Sequence, residues 1–179
     1  MKNVIKEIIS TIVYILVVLL GTWLLITFVG QRTSVSGSSM EPTLQHNDQL
    51  ILDKISYRFS EPQRYDIIVF PFLYEEKTYY VKRIIGLPGE TVQIDGEGNI
   101  FIDGEILEED YGMETMNYPG IAAEPITLGD DEYFVLGDNR NNSSDSRDPS
   151  VGTIRRSNVM GKAWVRIWPL NKFGLLKHQ

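Results

Sequence analysis

The sequence predicts a mainly β domain carried on a single N-terminal transmembrane helix. The first observation is an uncharged, almost wholly apolar run at residues 8–29, which is long enough to cross a bilayer as a helix. The second is that short β-branched and aromatic runs alternate with Gly, Pro, Asn and Asp over the rest of the chain, where no helix is convincing. The third is size, because 179 residues leave room for one domain with its own core beyond the apolar run.

The charges that flank the apolar run predict its orientation. Two lysines precede it and Arg32 follows it, so the positive-inside rule favours a cytoplasmic N-terminus at residues 1–7. Residues 30–179 would then form a domain on the extracellular side of the cytoplasmic membrane. A cleavable signal peptide is the alternative, but the run is longer than a usual apolar signal region and no Ala-x-Ala follows it. We therefore expect an uncleaved single-pass anchor.

The expected strands follow in order along the remaining chain. Runs with strand character lie at residues 48–55, 65–70, 78–85, 132–136 and 161–169. Between them, alternating apolar residues around Asp-Gly and Gly-Asn turns predict a hairpin over about 92–102. An acidic, irregular surface excursion is expected at 105–125. The stretch from about 90 to 130 is thus predicted to be a hairpin with an acidic insert.

Composition excludes several classes of function. The formal net charge is −7 and no long Lys/Arg run is present, which argues against nucleic acid as a partner. The chain has no cysteine, so disulfides and thiolate metal sites are excluded. Its two histidines, His46 and His178, are far apart and expected at the surface, where nothing would orient the base of a Ser-His-Asp triad. The sequence therefore predicts a site without metal or organic cofactor.

A loop of hydroxyl side chains and one glycine follows the apolar run at residues 35–44. Gly37 loosens the backbone, while Pro42 fixes φ and lacks an N–H donor, so a helix cannot propagate here. A flexible Ser/Gly linker is one interpretation. Met40 and Leu44 supply packing groups that a linker does not need, which favours a serine held on an exposed turn.

Two adjacent cations occupy the strand predicted at 78–85. Strand alternation places Lys82 and Arg83 on opposite faces, so at least one of them is expected to meet a buried surface. A lysine enclosed by apolar side chains loses hydration of its ammonium form, which lowers its pKa and makes it a general base. The alternative is a lysine that extends its ammonium group into water.

A polar stretch at residues 137–148 follows the strand at 132–136. A solvated loop and a calcium loop are alternatives. However, Arg140 stands where an EF-hand needs an oxygen ligand, and the glycine and terminal glutamate of that loop are missing. Interleaved Asp and Arg residues favour a scaffold of ion pairs and hydrogen bonds.

These motifs resemble type I signal peptidases, peptidase family S26, in the short form found in Gram-positive bacteria. The resemblance covers nearly the whole chain and comprises the anchor and residues 39–44, 64–70, 80–90 and 137–147. It implies a membrane-anchored serine endopeptidase whose catalytic domain is a barrel-like β-sheet. Such an enzyme removes signal peptides from exported preproteins after small residues, at sites of the Ala-x-Ala type.

The resemblance also implies roles for individual residues. Ser39 matches the nucleophile and Lys82 matches the general base, a neutral amine that takes the Ser39 hydroxyl proton. Ser143 matches a serine whose hydroxyl helps to orient the lysine. Asp145 and Arg147 match an ion pair that holds the walls of the site.

The same matching pairs Asp138 with Arg83. One position departs from the pattern, because some members, mainly Gram-negative, carry an oxyanion-stabilising serine where this chain has Gly37. The oxyanion is then expected on the Ser39 backbone amide and one further backbone donor, with Gly37 permitting close approach. Candidates for lining pockets that admit short side chains, each with core packing as its alternative, are Val35, Met40, Leu44, Tyr80 and Val81.

The implied partners are exported preproteins and the lipid bilayer, with the secretion translocase as a further candidate. Trp164 and Trp168 fit either the lipid interface or the core. Two other classes of protein remain open. A Ser/Lys protease related to self-cleaving repressors would lack the anchor and carry a DNA-binding segment. A non-catalytic anchored binding module would not need both Ser39 and Lys82.

Overall fold

The computed structural model describes residues 2–28 and 30–176, with side chains at 4–23 and 30–176. His178, expected at the surface, lies outside the described residues. Helix α1 covers Lys2–Phe28, so it begins six residues before the predicted apolar run. Its segment Val4–Trp23 is long and apolar enough to cross a membrane, and the side chains of that segment are not buried against the rest of the chain.

The remainder of the described chain is mainly strand, joined by loops and short turns. Its strands are β1 (Gly30–Ser34), β2 (Gln49–Asp53), β3 (Ile67–Pro71), β4 (Tyr79–Gly86), β5 (Thr91–Ile94), β6 (Ile100–Ile102), β7 (Glu105–Ile106), β8 (Ile126–Thr127), β9 (Glu132–Leu136), β10 (Ile154–Arg155), β11 (Gly161–Trp168) and β12 (Gly174–Leu175). The predicted fold class, mainly β with one N-terminal apolar helix, is confirmed.

The strands form two antiparallel sheets. The larger has the order β1-β2-β11-β3-β4-β9-β10, with β12 paired to β11, and the smaller has the order β7-β6-β5-β8. Strand β4 lies between β3 and β9, with Lys82 opposite Ile68 and Arg83 opposite Leu136. This central position gives both cations partners from several elements.

The two sheets meet at the end of β4. A Cβ on Gly86 would lie 2.5 Å from Val92 and 2.8 Å from Leu128, so only glycine allows this approach. A shared apolar core joins the sheets, with Ile85 on β4 packed near Phe134 and the small-sheet residues Val92, Ile94 and Ile100. The smaller sheet is therefore fixed beside the strand that carries both cations.

Two expectations from the sequence need correction. A short helix, α2 (Ser56–Phe59), follows β2, because the carboxylate of Asp53 accepts hydrogen bonds from the amides of Ile55 and Ser56. Residues 105–125 are largely irregular, as expected, but they are not only a surface excursion. Met116 and Ala122 are buried in the shared core, because the segment folds back under the small sheet.

Candidate active site

The loop at residues 35–44 is fixed to the larger sheet. The amide of Val35 donates to the carbonyl of Asp48 at 2.8 Å, and the amide of Asn47 donates to the carbonyl of Val35 at 2.9 Å. The side chains of Val35, Met40 and Leu44 are buried in a core with β2 and β3 residues. The flexible-linker interpretation is therefore wrong, and Ser39 stands on a packed turn.

Lys82 reaches this turn from β4. Its ammonium group donates to Ser39 Oγ at 2.8 Å and to the carbonyl of Val81 at 3.1 Å, and it lies 5.0 Å from the centre of the Tyr80 ring. The residue is only 3% exposed, so the solvent-exposed alternative is wrong. Burial lowers the pKa of Lys82 to about 8, although the carboxylates of Asp145 and Asp138 oppose that effect.

Arg83 points to the other face and is fully buried. Its guanidinium donates to both oxygens of Asp138, at 2.9 and 2.7 Å, and to the carbonyl of Tyr65 at 3.0 Å. Thr43 lies in the loop at residues 35–44, here called the serine loop, and donates its hydroxyl to Asp138 at 2.5 Å. Asp138 thus ties β4 to the loop that carries Ser39.

The stretch at residues 137–148 is a scaffold rather than a solvated loop. Arg147 donates to both oxygens of Asp145 at 2.8 Å, and Asp145 also accepts the amide of Gly137 at 3.0 Å. The amide of Asn139 donates to the carbonyl of Ser39 at 3.0 Å. Burial of these charges is offset by pairing, and the scaffold interpretation is confirmed.

Ser143 lies close to Ser39 but makes no hydrogen bond to Lys82. Its Oγ is buried and has no hydrogen-bond partner among the described residues. A Cβ on Gly137 would lie 2.2 Å from Ser143 Oγ and 2.5 Å from the carbonyl of Ser39, so only a glycine fits between them. The lysine-orienting contact implied by the resemblance is therefore not formed in this structure.

The backbone groups expected to stabilise an oxyanion are the Ser39 amide and the segment around Gly37. The amide of Ser39 makes no hydrogen bond to any described residue. Gly37 has a φ of +96°, and nothing lies within 4 Å of a Cβ placed on it. Glycine is needed there for its backbone conformation, not because neighbouring protein atoms crowd it. His46 is exposed, as expected, and its Nδ1 accepts the Gly37 amide at 3.2 Å.

A cleft of about 590 Å³ lies between the serine loop and β4, and Ser39 and Lys82 both line it. Of the five pocket candidates, Val35, Met40, Tyr80 and Val81 line the cleft. Leu44 does not, and this expectation is wrong because its side chain is fully buried in the core beneath the loop. Among the described residues, in the cleft or outside it, no group of three His, Asp or Glu side chains could hold a metal.

Comparison with known proteins identifies the family of this chain. The family described as "Signal peptidase, peptidase S26" matches residues 5–168. The chain belongs to this signal peptidase family. Membership makes it a type I signal peptidase, a serine peptidase that hydrolyses peptide bonds.

Several curated signal peptidases are similar over most of their length. The probable signal peptidase I-2 of Synechocystis is 44% identical, with 84% of this chain and 68% of the relative covered. Signal peptidase I of Leptolyngbya laminosa is 45% identical, with 84% and 74% covered. Signal peptidase I P of Bacillus subtilis subsp. natto is 36% identical, with 93% and 92% covered, which fits the short form.

A solved signal peptidase I from Enterococcus faecalis V583 is 37% identical to this signal peptidase. The match covers 57% of this chain and 97% of that one, with a TM-score of 0.47.

Several residues of this signal peptidase that support the surroundings of Ser39 and Lys82 were not predicted from the sequence. Thr43 binds Asp138 from within the serine loop, and the Asn139 amide binds the Ser39 carbonyl of that loop. The positions of Thr43 and Asn139 inside the matched motifs were the only signal available. Tyr111 lies against Arg83, with 3.6 Å from the guanidinium carbon to the ring centre. Glu109 pairs with Arg140 at 2.6 Å. No pattern in the irregular acidic stretch could have indicated those two contacts.

Proposed function

We propose that this signal peptidase cleaves exported preproteins with a Ser39/Lys82 dyad. The observation that carries the proposal is the 2.8 Å contact between Lys82 Nζ and Ser39 Oγ, made by a lysine whose pKa burial lowers to about 8. Roughly a tenth of the lysine is then neutral at pH 7, far more than for an ordinary lysine, so this amine can accept a proton.

The steps balance through one amine. Neutral Lys82 takes the proton of Ser39 as Oγ bonds to the scissile carbonyl carbon, and it then protonates the leaving amine as the peptide C–N bond breaks. Lys82 next removes a proton from water as the water oxygen attacks the carbonyl carbon of the ester on Ser39. It then returns this proton to Ser39 Oγ as the ester C–O bond breaks, which releases the carboxylic acid product and restores the neutral amine. The free amide of Ser39 is available to stabilise the negative oxygen in both steps.

The cleft supports selection for short side chains. Val35, Met40, Tyr80 and Val81 line its walls, and Val35 and Met40 are held in place by the core. A substrate in extended conformation would lie between the serine loop and β4 and bind through its backbone. Rejection of larger side chains by such walls is worth about 1–3 kcal/mol, which favours cleavage after small residues as at Ala-x-Ala.

The testing experiment measures cleavage of a preprotein with an Ala-x-Ala site in detergent, with the cut located by mass spectrometry. Wild type should cut after the second Ala, and replacing that Ala by Leu should slow cleavage about tenfold or more. Ser39→Ala and Lys82→Met should abolish cleavage, whereas Ser150→Ala and Lys54→Met, away from the cleft, should retain it. Cleavage by Ser39→Ala would reject the nucleophile. A folded wild type that leaves the preprotein intact would favour the binding-module alternative.

The proposed location is the cytoplasmic membrane, with residues 1–7 inside and the catalytic domain on the extracellular side. The apolar, unburied Val4–Trp23 segment and the half-exposed Trp164 and Trp168 are consistent with a domain resting on lipid. The chain has no cysteine, so single-cysteine variants report topology cleanly. A membrane-impermeant maleimide should label Glu97→Cys, but not Asn3→Cys, in intact cells. Labelling of Asn3→Cys alone would show that the orientation is opposite to the one proposed. Crosslinking would test the translocase as a partner.

A further inference from the structure

The irregular segment at residues 107–123, here called the strap, packs against the scaffold of the proposed dyad. Its residues Glu109 and Tyr111 lie next to two buried arginines, Arg140 and Arg83. Nothing in the proposed chemistry uses either residue of the strap. Their contacts with groups beside Ser39 and Lys82 need a separate explanation.

Tyr111 covers the buried guanidinium of Arg83. The distance of 3.6 Å from the guanidinium carbon to the ring centre is that of a cation stacked on the ring face. Arg83 in turn holds both oxygens of Asp138, and Asp138 accepts the hydroxyl of Thr43 in the serine loop. A chain of direct contacts therefore runs from the strap to the loop that carries Ser39.

Glu109 makes the second contact. Its carboxylate pairs with Arg140 at 2.6 Å, and the two side chains are 8% and 4% exposed. Arg140 also donates through Nε to the carbonyl of Gly137, the glycine that separates Ser39 from Ser143. An unpaired Arg140 would be a buried charge, so Glu109 fixes the position of this side chain.

Backbone hydrogen bonds hold the strap along the same scaffold. The amide of Met113 donates to the carbonyl of Asp138 at 3.0 Å, and the amide of Ile121 donates to the carbonyl of Arg147 at 3.0 Å. The strap thus follows the scaffold from Asp138 to Arg147. Its two ion contacts lie at one end, beside the dyad.

We propose that Glu109 and Tyr111 are positioning residues, which hold Arg140 and Arg83 so that Ser39 and Lys82 remain in reacting geometry. This inference rests on the proposed function of the dyad. Neither residue contacts the dyad, and both act through the arginines they hold.

The pH profile distinguishes positioning from simple packing. The charges that act on Lys82 are Asp138 and Asp145, and the Tyr80 ring lies beside it. Loss of the Tyr111 ring would admit water and loosen the pairing of Arg83 with Asp138. Both changes favour the ammonium form of Lys82, so the acid limb of the kcat profile should move to higher pH.

The experiment compares Tyr111→Leu and Glu109→Gln with wild type in the full chain in detergent. Each should lower kcat about tenfold, with KM changed less than about twofold, and Tyr111→Leu should shift the acid limb upward. Tyr111→Phe keeps the ring and should restore both. The matched controls are Tyr118→Leu, which removes an exposed ring, and Glu108→Gln, which removes an exposed charge from the same segment.

Hydrogen exchange gives a readout that does not depend on cleavage. The Asn139 amide, bound to the Ser39 carbonyl, should exchange faster in Tyr111→Leu and Glu109→Gln and at the wild-type rate in the controls. Unchanged kcat and pH profile in both variants would overturn the proposal, even if stability fell. If wild type does not cleave, the proposed function fails. The exchange rates then test by themselves whether Glu109 and Tyr111 hold the serine loop in place, and unchanged rates would reject that role.

Discussion

Burial of Lys82 changes the chemistry of its amine. The structure encloses an amine that would be charged in water, and its pKa falls to about 8 for that reason. Folding therefore disfavours the protonated ammonium form of Lys82 and favours the neutral amine, which can accept a proton. The carboxylates of Asp145 and Asp138 limit the shift, so the ammonium form still predominates at neutral pH.

We expect the kcat/KM of wild type to rise with pH through a midpoint near 8 and then to level off, because only neutral Lys82 can accept the Ser39 proton. Lys82→Arg, which stays charged, should be inactive at every pH. A profile that is flat from pH 6 to 9 would contradict Lys82 as the base.

The same shift predicts a stability effect. Between the folded pKa of about 8 and the ordinary value of 10.5, the unfolded chain binds more protons, so stability rises with pH in that window. Lys82→Met should remove this rise and be more stable than wild type below pH 8 by a few kcal/mol, roughly the cost of the shift. The check is the difference between the wild-type and Lys82→Met unfolding free energies across pH.

Gly37 gives a second prediction at this scale. With φ at +96° and open space around its Cβ position, Gly37→Ala costs backbone strain of about 1–2 kcal/mol without a clash. The strain falls two residues before Ser39, so kcat should drop more than KM rises. Gly96→Ala, which also meets no atom within 4 Å and has no positive φ, is the control. An unchanged kcat in Gly37→Ala would contradict the prediction.

Among the elements, the junction of β9 with the scaffold at 137–148 determines the site. Gly137 and Asp138 directly follow strand β9 and lie beside the serine loop, and the Asn139 amide binds the Ser39 carbonyl. No side chain fits at Gly137, because a Cβ there would lie 2.5 Å from that carbonyl.

Gly137→Ala should therefore push the Ser39 loop away from the scaffold and reduce kcat/KM by roughly a hundredfold or more. Gly129→Ala, placed before β9 where the nearest atoms are 3.4 Å from a Cβ, should cost little. The measurement is single-turnover cleavage, with circular dichroism to show that both variants fold. Full activity in Gly137→Ala would show that this junction does not set the geometry.

In the molecule as a whole, the apolar helix α1 and the β domain are separate in their packing. Side chains of α1 from Val4 to Trp23 are not buried against the domain, whose cores lie in and between the two sheets. The anchor should therefore act by confining enzyme and substrate to one bilayer, which raises their effective concentration.

Removal of residues 1–28 should leave the melting temperature of the β domain unchanged. The rate of cleavage of a short soluble peptide should stay within about twofold of wild type. Cleavage of a preprotein inserted in vesicles should fall at least about tenfold. An unrelated apolar helix of equal length should restore it. A loss of peptide cleavage on truncation would mean that α1 is part of the folded unit.

Elements with strong local signals are predictable from the sequence alone. The apolar run, the β-rich strands around 78–85 and 132–136, and the hairpin near 92–102 depend on hydropathy and turn residues, which are local properties. The motif resemblance also predicted Ser39 and Lys82, which the structure brings within 2.8 Å. Helix α2 was missed because four residues, preceded by a turn in which the Asp53 carboxylate accepts two backbone amides, carry too weak a periodic signal.

The contacts that hold the site arise from tertiary packing. Side chains that local pattern treats alike, such as Leu44 in the core and Val81 in the cleft, separate only when the sheets pack. The contacts of Tyr111 with Arg83 and of Glu109 with Arg140 join residues about 30 positions apart through an irregular segment. Ion pairing and burial act through space, so sequence periodicity does not record them, whereas hydropathy and backbone preference act along the chain.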